Sequence, residues 1–213
     1  MPTKNEDLHG NVPDRCTVAL ILIDVINDME FESGEALLAN ALPAAKKMAQ
    51  LRRRARNAGV PVIYVNDNFG KWRSDLRQQL GHVLEDGVRG EPIAKLLRPD
   101  ADDYFVLKAK HSGFYHTQLD LLIDYLQVKT IVLAGFTTDI CVLFTASDAY
   151  MRDLEIIVPP DCSASASMNH HETALDHMER VLKVKLTPAA EIDFAELKDE
   201  WLGAPQHAAT SPE

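Results

Sequence analysis

The chain lacks most of the features that would assign it to a simple functional class. Only three cysteines, Cys16, Cys141 and Cys162, occur in 213 residues, and no two form a CxxC pair. A disulfide scaffold, a thioredoxin-like dithiol and a zinc ribbon are thereby excluded. Long apolar runs are missing too. The longest, Val18 to Ile23, falls far short of the roughly 20 residues a membrane helix needs. Basic residues are scarce: 22 Lys and Arg stand against 32 Asp and Glu, a formal net charge of -10. That balance argues against non-specific nucleic-acid binding and against attachment to anionic membranes. Residues 1–7 are polar and carry no apolar signal-peptide core, so the expected location is cytoplasmic. The ten glycines form no GxGxxG, no GxxxxGK[ST] and no GxSxG. A dinucleotide fingerprint, a P-loop and a serine-hydrolase elbow are therefore absent.

What is present is an alternation of two periodicities. Apolar strand-like runs at Val18–Ile23, Val60–Val65, Tyr104–Leu107, Thr130–Ala134 and Leu154–Val158 are separated by helical patterns. The helical stretches are Leu38–Asn57, Leu76–Leu84, Thr117–Leu126, Asp139–Arg152 and His170–Leu182, Pro92–Leu97 reads as a short helix or turn, and a short sixth strand is expected near Val184–Leu186. Strands alternating with helices predict βαβ units. The fold class is thus α/β, a doubly wound three-layer α/β/α sandwich with a mostly parallel sheet of about six strands. Near-continuous apolar strands fit burial on both faces. The predicted organisation is an N-terminal arm over 1–14, a single domain over 15–195 and a C-terminal tail over 196–213.

Three of the strands end in residues of complementary chemistry: β-like runs lead into Asp24, into Lys108 and, through the turn Gly135-Phe136-Thr137-Thr138, into Cys141. Each alone has an ordinary reading: a turn aspartate, a solvated lysine, a small core cysteine. In a parallel sheet, however, all three meet at the carboxyl edge, where open α/β sheets bind ligands. Acid, cation and thiol together match an activated nucleophile with a base and an orienting group. A cysteine at the start of a helix is also expected to favour thiolate.

These stretches carry a family resemblance. Gly135-Phe136-Thr137-Thr138-Asp139-Ile140-Cys141-Val142 resembles the nucleophile motif of the isochorismatase-like cysteine hydrolases. Ile21-Leu22-Ile23-Asp24-Val25-Ile26-Asn27-Asp28 resembles that family's first motif, and Lys108-Ala109-Lys110-His111-Ser112-Gly113-Phe114 its Lys-x-x-x-Ser-Ala-Phe segment. The motifs come in the family's order across roughly residues 16–186. The resemblance implies Cys141 as nucleophile, Asp24 as general base and Lys108 as the third member, which would lower the thiol pKa. It implies a cis peptide at Phe136–Thr137 and an oxyanion hole from the backbone N–H groups of Thr137 and Cys141. It further implies a homo-oligomer, dimer or tetramer, for which the helix around Tyr150-Met151, the loop Phe69–Trp72 and the arm are candidate contacts.

The sequence departs from the family pattern at two places. Ile26 stands where many members have Gln. Metal-dependent relatives carry Asp-x-His after the second strand, whereas this chain has Asp67-Asn68-Phe69. With phenylalanine at the histidine position, no metal and no cofactor are expected. Phe31, Asn68, Trp72, Phe114 and Phe136 are candidates for the substrate pocket. His170, His171, Glu172 and His177 lack metal-ligand spacing and read as a helix start, and Cys162 as structural. The expected activity is hydrolysis of a C–N bond, amide or ureido, in a small molecule through a thioester. The alternatives are vinyl-ether hydrolysis, against which Cys141 argues, and an idle binding protein, against which the intact Asp24/Lys108/Cys141 set argues.

Overall fold

In the computed structural model of the chain, residues 15–73 and 75–202 are described. Their centre is a parallel sheet of β1 (Val18–Ile23), β2 (Val62–Asp67), β3 (Tyr104–Lys108), β4 (Thr130–Phe136), β5 (Glu155–Ile157) and β6 (Ser163–Ala164). The order is β3-β2-β1-β4-β5, with β6 against the end of β4. The chain therefore winds outward from β1 to β3, then returns to lay β4 on the other side of β1. The reversal between β1 and β4 is the switch point at which such sheets open a crevice.

Strand β1 shows how the two layers follow from the pleat. All six of its residues are buried. Val18, Leu20 and Leu22 point to one face and Ala19, Ile21 and Ile23 to the other. The first face is covered by α1 (Gly34–Asn57), α2 (Leu76–Glu85), α3 (Glu91–Leu96) and α7 (Phe194–Leu202). The second is covered by α4 (Leu119–Leu126), α5 (Leu143–Tyr150) and α6 (Met168–Leu182). A strand buried on both sides cannot alternate polar and apolar residues, which is why these runs are so uniformly hydrophobic. Among the described residues, no helix is long and apolar enough to cross a membrane.

The α/β sandwich stands as predicted, with three local differences. The sixth strand is Ser163–Ala164, paired with Gly135 and Phe136 of β4. Lys185, within the stretch expected to be that strand, makes a single bridge to Ile157, and Pro188, which has no N–H to donate, follows shortly after. The helix after β4 is not uniform: it opens with a π-helical turn, Thr138–Val142, before α5. The boundary at 195 cuts through α7. Asp193 caps that helix, its Oδ1 accepting from the N–H groups of Ala195 at 2.8 Å and Glu196 at 3.3 Å. Phe194 is buried in the first core layer, and Lys198 Nζ donates to Ala58 O at 2.8 Å, at the end of α1. Residues 196–202 thus belong to the folded domain. The proposed arm over 1–14 and residues 203–213 lie outside the described residues.

Candidate active site

Asp24 follows β1 directly and adopts φ +52°, a left-handed conformation that aspartate tolerates better than most residues. Its N–H donates to Val65 O at 2.9 Å, so the turn is stitched to β2. Lys108 is the last residue of β3, two strands away, and its side chain is wholly buried. Its Nζ reaches back across β2 to Asp24 Oδ2 at 2.8 Å and donates to Asp67 Oδ2 at 3.4 Å and Cys141 Sγ at 3.5 Å. Asp24 Oδ1 accepts the N–H of Asp67 at 2.6 Å. The three residues singled out in the sequence therefore meet around one ammonium group.

The approach of β4 to β1 depends on Gly135. It has φ +129°, and a Cβ there would lie 2.1 Å from Ile23 O. Only glycine lets the strand carrying the thiol run this close to the strand carrying the carboxylate. The peptide Phe136–Thr137 is cis. Beyond it, Thr137 O accepts from the N–H groups of Ile140 at 3.3 Å and Val142 at 3.1 Å, the latter bond defining the π turn. Neighbouring elements clamp this turn. Thr138 Oγ1 lies 2.8 Å from His171 Nδ1, and Ser165 Oγ donates to Asp139 Oδ1 at 2.5 Å. Thr145 Oγ1 donates to Cys141 O at 2.7 Å and accepts from Gly113 N–H at 2.9 Å. Ser112 Oγ donates to Asp148 on α5. The segment after Lys108 is thereby fastened to the helix that carries Cys141.

Burial sets the protonation states. It pushes the Cys141 thiol up to about 12, with the Asp24 charge adding to the rise and Lys108 opposing it. Burial likewise raises the Asp24 carboxyl, and the ammonium of Lys108 offsets part of that rise. Burial acts to lower the pKa of Lys108, but the charges of Asp24, Cys141 and Asp67 outweigh it and the net shift is upward. Cys141 thus rests as a thiol beside a charged ammonium. Lys108 lowers the thiol pKa as expected, but burial and the Asp24 charge outweigh it and the net shift is upward.

The pocket candidates separate. Asn68 and Trp72 line a cavity of about 360 Å³ that has Lys108 on its wall. Phe114 does not line it; it is buried in the second core layer, 4.6 Å beneath the Arg152 guanidinium. Phe136 is equally buried, because its side chain fills the first core layer under α1. Phe31 sits exposed just before α1 and does not line this cavity. Sequence reasoning passed over His111 as one loop position among several, yet its Nδ1 lies 4.0 Å from Cys141 Sγ. It also gave no role to Asp67 or Thr145, whose contacts arise only when the loops close. A larger cavity, about 490 Å³, lies at the opposite edge between Arg15, Arg56, Val62 and Tyr104. It has no contact with the three converging side chains.

A metal does not fit this donor set. Asp67 is committed: Oδ1 accepts the N–H of Phe69 at 2.6 Å and Oδ2 faces Lys108 Nζ. Phe69 offers no donor atom, and no group of three His, Cys, Asp or Glu among the described residues is placed to hold an ion.

The sequence pattern of the isochorismatase domain matches residues 18–189. The chain belongs to the isochorismatase family. It is 40% identical over 174 residues to the uncharacterized isochorismatase family protein YaaI of Bacillus subtilis, covering 82% of this chain and 95% of that one. It is 26% identical to the ureidoacrylate amidohydrolase RutB of Methylorubrum extorquens, over 72% of each chain. Among solved structures, the N-carbamoylsarcosine amidase of Thermoplasma acidophilum superposes with a TM-score of 0.65 at 29% identity, covering 83% of this chain and 99% of that one. The pyrazinamidase/nicotinamidase of Streptococcus mutans gives 0.62 at 27% identity, over 80% and 99%. Membership places the chain among hydrolases that include amidohydrolases.

Proposed function

We propose that the protein is a cysteine-dependent amidohydrolase acting on the C–N bond of a small carboxamide or ureido compound. The observation that carries this is the position of Lys108 Nζ, buried between Asp24 Oδ2 at 2.8 Å and Cys141 Sγ at 3.5 Å. A lone thiol held near its proton form needs a base close by and a cation to balance the charge that moves, and both are in place.

In this mechanism Asp24 takes the proton from Sγ as the sulfur–carbon bond forms at the substrate carbonyl. Lys108 stays protonated and compensates the negative charge as it passes from carboxylate to sulfur. The N–H groups of Thr137 and Cys141 receive the developing oxyanion, and one such donor is worth about 10²–10³ in rate. The carbon–nitrogen bond then breaks while the Asp24 carboxyl returns its proton to the leaving nitrogen, leaving a thioester on Cys141. Water, deprotonated by Asp24, adds to the thioester. The carbon–sulfur bond breaks, the acid departs and the proton goes back to sulfur. No step uses a metal.

The test is ammonia release from a panel of small amides and ureido compounds. The wild type should release ammonia after exhaustive chelation, and acid quenching should trap an adduct on Cys141 visible by intact mass. Cys141→Ala should be folded and inactive. Residual turnover in the pure variant, or loss on chelation with recovery on adding Zn²⁺, would overturn the mechanism.

A further inference from the structure

His170 and His171 stand in the first turn of α6, and both meet the π turn that presents Cys141. His170 Nδ1 lies 3.6 Å from Asp139 Oδ2, at the surface. His171 makes the closer contact: it is buried, and its Nδ1 lies 2.8 Å from Thr138 Oγ1. Thr138 is the first residue of the π turn and is wholly buried. Among the described residues its hydroxyl has no partner other than His171. Beyond this contact and the Asp139–Ser165 bonds at the start of the turn, the side-chain tie nearest the thiol is Thr145 on Cys141 O.

A hydroxyl and an imidazole nitrogen can each give or take the proton, and burial fixes the direction here. If Nδ1 carried a proton, Thr138 Oγ1 would accept it, and the hydroxyl's own proton would be left in the core without an acceptor. Folded proteins avoid that arrangement. The imidazolium fails for the same reason. If Nδ1 carries the lone pair, Thr138 donates and both groups are satisfied. The ring proton then sits on Nε2, which has no protein partner among the described residues and is not enclosed. His171 lines a cavity of about 310 Å³ between α1 and the start of α6, with Asn40, Ser163 and the Lys47–Asp161 pair, and solvent there serves Nε2. Burial also lowers the His171 pKa below the ordinary histidine value, although the charges of Glu172 and Asp139 oppose it, so the ring is neutral at pH 7.

We propose that His171 is a positioning residue: as the Nε2–H tautomer it accepts the Thr138 hydroxyl proton at Nδ1, and so holds the turn that keeps the Cys141 thiol enclosed beside Asp24 and Lys108. Its part in catalysis rests on the reading of Cys141 as the nucleophile. The tautomer is read on the wild-type chain by long-range proton–nitrogen NMR correlation. The imidazole signals missing from His171→Asn belong to His171, and they should show the proton on Nε2 and an accepting Nδ1. Positioning is read at pH 7.5 by iodoacetamide labelling and peptide mass mapping, which need no substrate. His171→Leu and Thr138→Val each break the tie. Water then reaches Sγ, the burial that raises the thiol pKa weakens, and Cys141 should label about tenfold faster than in the wild type. The double variant should label no faster than the quicker single one, because both residues act through one bond. His171→Asn sets an amide oxygen near the place of Nδ1 and should bring labelling back to within about twofold of the wild type. Cys16 and Cys162, both buried, are internal controls. Labelling gained at Cys141 alone reports release of the turn. A protonated Nδ1, wild-type labelling in His171→Leu, no rescue by His171→Asn, or Cys162 labelling in step with Cys141 would overturn the proposal. Ammonia release from the amide and ureido panel is read separately. Faster Cys141 labelling in the two broken-tie variants, in a protein that releases no ammonia, keeps the tie and rejects amide hydrolysis. Ammonia release with labelling unchanged in those variants rejects the tie and keeps the hydrolase.

Discussion

A thiol whose pKa has risen from 9.0 to about 12 is protonated throughout the neutral range. The direction matters for reactivity. With the proton form favoured, the thiolate fraction at pH 7 is very small and grows with pH until the pKa is reached. Alkylation of Cys141 by iodoacetamide, followed by peptide mass mapping, should therefore be slow at pH 7. It should accelerate about tenfold per pH unit to well beyond pH 9. A plateau already reached near neutrality would mean a preformed thiolate. In the proposed mechanism the substrate, not the resting site, triggers deprotonation. Asp24 and Lys108 then act only together with Cys141, and groups that work as one unit lose activity non-additively. The double variant Asp24→Asn/Lys108→Ala should be scarcely slower than either single variant in steady-state assays. Losses that multiply would show independent roles. All three residues were legible in the sequence because each ends an apolar strand and parallel strands end on one edge. His111 and Asp67 were not legible as partners, since nothing in a one-dimensional pattern tells which loop residues fold back to within 4.0 Å of a sulfur.

At the scale of elements, legibility follows the length of the apolar pattern. β1, β3 and β4 were readable as apolar runs, and α1, α4 and α6 by their helical stripes ending in a cap or turn. β6 was not, because Ser163 and Ala164 are two small residues with no strand pattern. The π turn was not, because Asp139 to Arg152 shows the same spacing whether its first turn is tight or wide. α7 was missed although Asp193 and Glu196 form a start signal just ahead of Leu197, because the polar composition beyond it suggested a tail. That helix is measurable in stability. Phe194→Ala should lower the unfolding free energy by about 3 kcal/mol in urea titration, the usual cost of emptying a buried aromatic site. A change under about 0.5 kcal/mol would fit a dispensable tail instead. The link from β3 to the nucleophile helix is testable in the same way. Thr145→Val keeps the shape but leaves Gly113 N–H and Cys141 O without their shared hydroxyl. A cost of about 1–3 kcal/mol is expected, with kcat reduced because the turn that presents the thiol is no longer tied down.

At the scale of the whole molecule the two helical layers differ in what they show to solvent. Every large apolar side chain that helices α1 to α6 expose belongs to the α4–α6 layer or the turn that opens α5. Leu121 and Tyr125 lie on α4, Ile140 on the π turn, Phe144 and Tyr150 on α5 with Met151 at its end, and Met168 and Val181 on α6. The helices α1 to α3 expose none. Leu121 is 72% exposed and Met151 69%, and the ion pair of Arg152 with Asp120 holds their two elements together. An apolar layer of this kind, mixed with aromatic and Met residues, is the composition that interface cores favour. We therefore expect a homo-oligomer, dimer or tetramer, formed through the α4–α5 face rather than through α1–α3. Light scattering at micromolar concentration should give about twice or four times the chain mass of 23.7 kDa. Leu121→Glu/Met151→Glu puts two carboxylates where the apolar contacts meet, and both positions are exposed enough for the chain to fold unchanged. That variant should scatter as a monomer with its circular dichroism intact. A wild type near 23.7 kDa would end the idea, and a variant that stays oligomeric would move the interface to another face.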